Sequence, residues 1–163
     1  MKNLTFFRKI KSNIGILCSC LLLSAPAMAS SVLVENGYIR ATIPGTTVSS
    51  AYMDIINNTS ENLVLIGASA HVSDRVEIHQ HVMEDGMMKM RQRDSLEVIA
   101  GEKVILQPAS YHLMIFNLKS PLSPNDNLSL TLHFKDANDV EITLPVKSIK
   151  RQEPKEQAHH HHH

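Results

Sequence analysis

The sequence is poor in cysteine, in aromatic residues and in long apolar runs, and each shortage argues against a class of protein. Its 163 residues include two cysteines, Cys18 and Cys20, and only 4% are aromatic. We find no basic patch with interleaved aromatic residues, so nucleic acid is not an expected partner. The apolar stretch at residues 14–24 is too short for a comfortable membrane-spanning helix.

The first 29 residues have the pattern of a secretory signal peptide. A basic segment at residues 2–11 precedes the apolar residues 14–24, and Ala27-Met28-Ala29 forms a small-x-small cleavage site. We predict cleavage before Ser30, export to the periplasm and no stable membrane insertion afterwards. Residues 17–20 weakly resemble a lipoprotein cleavage box. Cysteine is unusual at its second position, so the later site and a soluble exported product are preferred.

Cleavage before Ser30 would remove both cysteines and leave a mature chain without a thiol. Disulfides and thiol–disulfide enzymes are thereby excluded, and a blue-copper electron carrier is disfavoured because its site requires a cysteine thiolate. Four of the sixteen basic residues and none of the sixteen acidic residues would be lost, which leaves twelve against sixteen and a net charge of −4. Residues 30–149 suffice for one domain, followed by a charged, histidine-ended tail at 150–163 that we predict to be disordered.

Short strand-like segments separated by turn signals predict an all-β sandwich or barrel of about ten strands. Asn36-Gly37 is expected to form a turn between two short strands, and Asp85-Gly86 a two-residue hairpin turn. The candidate strands are residues 31–35, 38–42, 50–56, 63–66, 76–83, 87–91, 96–99, 104–106, 111–118, 128–134 and 140–146.

Residues 79–114 concentrate histidine and methionine. They hold three of the five histidines outside the C-terminal run and five of the eight methionines. Imidazole and thioether without thiolate are borderline and soft donors, which favour Cu(I) over hard cations. A carboxylate-rich segment would have indicated calcium or magnesium instead.

Strand alternation sorts these side chains onto faces. His79, His81 and Met83 share one face of a strand, and a two-residue turn would place Met83 opposite Met88 and His81 opposite Met90. The predicted metal ligands are His79, Met90, His112 and Met114, with His81 and Met83 as auxiliary candidates. His71 and His133 are expected to be surface or hydrogen-bonded histidines. Because Met87 and Met88 are adjacent, one of them is expected to pack inward.

The spacing of the four predicted ligands, with ten, twenty-one and one intervening residues, resembles that of the periplasmic copper chaperones called PCuAC. Residues 76–79 (VEIH), 83–86 (MEDG) and 106–108 (LQP) are also similar to that family, and the likeness extends over about residues 34–146. Gln80 and the Ala109-Ser110 pair depart from the family pattern. Both lie outside the four ligand positions.

This resemblance implies a cupredoxin-like Greek-key β-sandwich that binds one Cu(I) ion near its surface and is not an enzyme. It also implies delivery of copper toward the CuA centre of cytochrome oxidase, with an oxidase subunit or a Sco-type chaperone as partner. The alternative is a β-sandwich interaction or adhesion module with incidental methionines.

The chain ends in five histidines, His159 to His163. Such a run is typical of a purification tag, which would have no native function. A native tail of this composition could bind Cu(II), because imidazole suits that ion. The tail is not counted among the four ligands.

Overall fold

The computed structural model describes residues 32–148, which form ten β-strands and no helix. The all-β prediction is therefore confirmed, and the described residues include no helix of a length and apolarity suited to crossing a membrane. The predicted signal peptide and the C-terminal tail lie outside the described residues. The strands are β1 (Val32–Arg40), β2 (Ser49–Asn57), β3 (Leu63–Ala70), β4 (Ser73–Glu84), β5 (Met87–Arg93), β6 (Leu96–Val98), β7 (Lys103–Leu106), β8 (Tyr111–Phe116), β9 (Asn127–Lys135) and β10 (Val140–Lys147).

Hydrogen-bonded pairing closes the strands into a ring. The order β5-β4-β8-β7-β2-β1-β10-β9-β3-β6 is completed by direct pairings of β4 with β3 and of β8 with β2. Strand β4 is therefore held by β8 along one edge, and by β3 and then β5 along the other. Closure leaves few exposed strand edges, which limits unwanted pairing with other chains.

Strand β1 corrects one prediction. Asn36-Gly37 does not form a turn, because a single strand runs from Val32 to Arg40 and pairs with β2 on both sides of a bulge between Glu35 and Tyr38. Asn36 has a φ of 54°, which asparagine tolerates and which suits a bulge position. A Cβ at Gly37 would collide with the end of the Leu144 side chain, so that leucine packs directly against the glycine backbone.

The β4–β5 hairpin follows the prediction. Asp85 and Gly86 occupy the turn with φ values of 53° and 75°, the left-handed pair that a two-residue turn with matching strand twist requires. The register places Met83 opposite Met88 and continues without a shift to Ile78 opposite Arg93. Register along a strand decides which side chains share a face.

The hydrophobic core lies inside the ring. It explains why inward-pointing and outward-pointing side chains alternate along β4 and β8. Ile78, Leu113 and Ile115 point inward and are at most 2% exposed. Burying side chains of this size contributes about 1.5–3 kcal/mol each. The residues between them, including His79 and His112, must therefore point to the outer face of the ring.

Asn57, at the end of β2, is a fully buried polar residue that ties several segments together. Its side-chain amide donates to the carbonyl oxygens of Glu61 at 2.8 Å and Val98 at 2.9 Å, and its side-chain oxygen accepts from the backbone N–H of Thr59 at 2.9 Å. Buried polar groups of this kind are stabilising only while every partner is present.

We predict that Asn57→Ala lowers the free energy of unfolding by about 2–4 kcal/mol, because buried backbone groups lose hydrogen-bond partners. The matched control is Asn58→Ala, an exposed neighbour, which should change stability by no more than about 0.5 kcal/mol. Urea unfolding of both variants measures the difference. Equal stability of the two would show that the Asn57 bonds are dispensable.

Candidate metal centre

The four predicted ligand residues lie on one outer face formed by three neighbouring strands. Strand β4 supplies His79, β5 supplies Met90, and β8 supplies His112 and Met114. His79 pairs directly with His112 across β4 and β8, while Glu77 pairs with Met114. Opposed residues on one face have Cβ atoms about 4.5–5.5 Å apart, so these side chains are neighbours.

The hairpin adds further donors to the same face. As predicted, His81 lies opposite Met90 and Met83 opposite Met88. The imidazole of His112 sits between the other two histidines, with ring centroids 6.0 Å from His79 and 5.2 Å from His81. We define the histidine–methionine face as the six predicted residues: His79, His81, Met83, Met90, His112 and Met114.

His112 is the buried end of this face, at 2% exposure. Its Nδ1 lies 3.1 Å from the carbonyl oxygen of Ser110, which can only accept, so Nδ1 carries the proton and Nε2 keeps a free lone pair. Burial, and then the nearby His81 and His79, lower the pKa of His112 against the raising effect of the Ser110 bond. The ring is therefore held neutral, as a metal ligand must be.

His79 is oriented by a carboxylate two residues before it on the same strand face. Its Nε2 lies 2.8 Å from Oε2 of Glu77, and the other carboxylate oxygen lies 3.4 Å from Nε of Arg75. A carboxylate accepts, so Nε2 is the protonated nitrogen and Nδ1 carries the lone pair. That Nδ1 is buried and has no partner among the described residues. A carboxylate on the second nitrogen is the usual arrangement behind a metal-binding histidine.

Met114 and His81 complete the inner part of the face. The hydroxyl of Ser50 donates to the sulfur of Met114 at 3.4 Å, because β2 pairs with β8 at this point. The bond fixes the thioether and leaves a second sulfur lone pair available. His81 resembles His79 in having a buried Nδ1 without a partner among the described residues. Orphaned buried nitrogens next to thioethers fit a soft metal ion.

The face becomes progressively more exposed toward the hairpin tip. Met90 is 46% exposed and Met83 is 64% exposed. The expectation that Met87 or Met88 packs inward is wrong, since they are 60% and 54% exposed. The reason is that β4 pairs with β8 only as far as Gln80 opposite Tyr111, so the hairpin extends beyond the packed ring.

The remaining histidines of residues 32–148 are unsuited to the site. Both nitrogens of His133 are used, by Asp139 at 2.8 Å and Ser69 at 2.9 Å, and His71 is exposed. Within this part of the chain, no group of three or more His, Cys, Asp or Glu side chains has the arrangement of a metal site.

Two residues that position the face were not singled out by the sequence. Glu77 could have been found, because strand alternation places residue i and i+2 on one face. Ser50 could not, since its contact with Met114 depends on pairing between strands that are 64 residues apart in the chain.

The comparisons place the chain among known proteins. The model of the LpqE-like family, described as putative lipoproteins, matches residues 32–146. A putative lipoprotein of Leifsonia xyli subsp. xyli, Lxx21020, is 28% identical over 122 residues, which are 74% of this chain and 72% of the relative. The chain thus spans most of that relative.

Two solved structures share the fold. The copper-bound PCuAC domain from PmoF2 has 22% identity and a TM-score of 0.61, covering 72% of this chain and 93% of the domain. The Cu(I) form of DR1885 from Deinococcus radiodurans has 24% identity and a TM-score of 0.57, covering 68% and 74%. These matches confirm the predicted PCuAC-like, cupredoxin-type fold.

The lowered pKa of His112 predicts a pH dependence of stability. Below the ordinary histidine pKa of about 6.5, His112 takes up a proton in the unfolded chain but not in the folded protein. The free energy of unfolding of the metal-free protein should therefore fall as the pH is lowered from 7 through this value. Replacing His112 by Asn, which can still donate to Ser110, should flatten the slope between pH 7 and 5.5.

The matched control is His71→Asn, which removes an exposed histidine and should leave the slope unchanged. Urea unfolding at a series of pH values measures it. An unchanged slope in His112→Asn would show that this imidazole does not link protonation to folding.

Proposed function

The chain belongs to the LpqE-like family of putative lipoproteins, and from this membership and the histidine–methionine face we propose an exported Cu(I)-binding protein that passes the ion to a partner. Copper is its cargo, and no catalytic step is involved. The observation that supports this most strongly is the convergence of His79, Met90, His112 and Met114 on one face, with free lone pairs on both imidazoles.

The donor set favours Cu(I) among the biological metals. Two neutral imidazoles and two thioethers leave the ion its single positive charge, and thioether sulfur selects soft ions. Zn²⁺ and Cu(II) would gain from thiolate or carboxylate donors. The carboxylate nearest the face, Glu77, is already engaged by His79 and Arg75. The copper-bound states of PmoF2 and DR1885 support the same choice.

The gradient of exposure supports transfer rather than permanent storage. Met90 is 46% exposed, whereas His112 is 2% exposed. An incoming partner ligand can replace Met90 first, while His112 holds the ion from the buried side. Because each donor binds copper in its neutral form, it can leave the ion without taking up a proton.

We further propose that the recipient is a respiratory oxidase acquiring its CuA centre, either directly or through a Sco-type chaperone. The support is the PCuAC resemblance of residues 76–79, 83–86 and 106–108. An electron-transfer role is disfavoured because no cysteine follows residue 20. A purely structural adhesion role leaves the orphaned nitrogens of His79 and His81 unexplained.

The proposal predicts that Met114→Leu weakens Cu(I) binding at least about tenfold, since one lost ligand should cost more than about 1.4 kcal/mol. Leucine keeps the volume of methionine, so the fold should survive with a change below about 1.5 kcal/mol. Competition with a colorimetric Cu(I) chelator under anaerobic conditions measures the affinity.

The control for Met114→Leu is Met87→Leu, which removes a thioether from the opposite face of the hairpin, where Met87 pairs with Glu84. Its Cu(I) affinity should match that of the unmodified protein. If Met114→Leu also binds with unchanged affinity, Met114 is not a ligand and the site is misassigned.

Export can be tested independently. We propose cleavage after Ala29, so the intact mass of the protein from the periplasm should correspond to a chain beginning at Ser30. The family's description as putative lipoproteins makes the other outcome specific: a lipid-modified N-terminus at Cys18 or Cys20 in the membrane fraction would replace the soluble form with an anchored one.

A further inference from the structure

The tip of the β4–β5 hairpin carries methionines that the four-ligand site does not use. Pairing of β4 with β8 ends at Gln80 opposite Tyr111, and the backbone N–H of His81 donates to Ser110 at 3.2 Å. Residues 82–89 continue as a two-stranded ribbon, whose strands pair with each other and not with β8. The four exposed methionines of residues 32–148 all lie on this hairpin: Met83, Met87, Met88 and Met90.

The hairpin has two different faces. One continues the histidine–methionine face. Met83 lies opposite Met88 at the tip, and the next pair on this face, toward the ring, is His81 with Met90. The other is charged: Glu84 accepts from Arg91 Nε at 3.0 Å and pairs with Lys89 at 3.2 Å. These ion pairs link β4 to β5 and involve no methionine sulfur.

The cross-strand pairs of the hairpin form a continuous row of soft donors. Adjacent pairs on one face are about 7 Å apart along the strands. Met83 and Met88 are 64% and 54% exposed, Met90 is 46% exposed, and the buried His112 lies beyond. Methionine side chains are long and unbranched, so Met90 can reach either the tip pair or the inner histidines.

We propose that Met83 and Met88 form a second, outer binding site for Cu(I), through which the ion enters and leaves the four-ligand site. This deepens the proposed function and depends on it for the inner site. Cu(I) accepts low coordination numbers and thioether ligands, so two opposed methionines can hold it weakly and exchange it readily.

The transfer step is a ligand exchange. The bonds from copper to the sulfurs of Met83 and Met88 break as bonds to Met90, and then to His79, His112 and Met114, form. Copper remains Cu(I) throughout, all of the ligands are neutral, and no proton or electron moves. Met90 serves both sites in succession.

The test uses Ag(I), a monovalent soft ion that does not change oxidation state, as a probe of the exported protein labelled with ¹³C at the methionine methyl groups. The first equivalent should shift the signals of Met90 and Met114. The second should shift those of Met83 and Met88, while the signals of Met87 and the buried Met53 stay in place. The titrated protein ends at Ala158, because the terminal histidines would otherwise compete for Ag(I) and change the number of equivalents that reach the methionines.

The decisive variant is Met83→Leu combined with Met88→Leu, which preserves volume and removes both sulfurs. It should lose the second phase of the titration and keep the first. The matched control is Met87→Leu, on the charged face of the same turn, which should keep both phases.

The outcomes separate the two proposals. If Met83 and Met88 do not shift up to two equivalents while Met90 and Met114 do, the outer site is refuted and the inner site stands. If Met83 and Met88 shift but Met90 and Met114 do not, the tip binds the ion and the proposed four-ligand site fails. If the double variant retains a second phase, the outer site lies elsewhere and the assignment to Met83 and Met88 is wrong.

Discussion

The register of β4 against its two neighbours is the constraint on which the rest of the molecule depends. Pairing of His79 with His112 and of His81 with Met90 places these four donors on the outer face, while Ile78, Leu113 and Ile115 of the same strands lie in the core. A shift by one residue would exchange the two sets, turning the imidazoles toward the core and Ile78 toward the outer face. Formation of the core therefore also assembles the donor set, before any metal is present.

The surroundings of the two central histidines show how this face can be ready for a soft ion. Each has one nitrogen committed to an acceptor, Glu77 for His79 and the Ser110 carbonyl for His112, and one nitrogen left with its lone pair. Arg75 lies 3.4 Å from Glu77 and offsets its charge, and it also stacks on Phe116 at 4.3 Å from the ring. Each ring can therefore offer a lone pair to an ion while keeping the hydrogen bond that orients it.

The local sequence was sufficient to predict the β4–β5 hairpin, but it was insufficient to predict how the strands pair into a ring. The Asp85-Gly86 turn and strand alternation correctly predicted the pairing of Met83 with Met88, because both are decided within a few residues. Asn36-Gly37 carries the same turn signal, but pairing with β2 overrides it and leaves a bulge. The Ser50–Met114 bond and the near-complete burial of His112 depend on strands distant in sequence. Met87 and Met88 are both exposed because the hairpin extends past β8, and the sequence does not indicate that extension.

The proposed function requires that β4, β5 and β8 assemble a mixed nitrogen and sulfur site for Cu(I). X-ray absorption at the copper edge, on protein ending at Ala158 and loaded with one equivalent of Cu(I), tests it most directly. We expect about two nitrogen and two sulfur atoms bound to copper, with sulfur at about 2.3 Å by analogy with other metal–sulfur bonds. A shell of nitrogen and oxygen alone would contradict it.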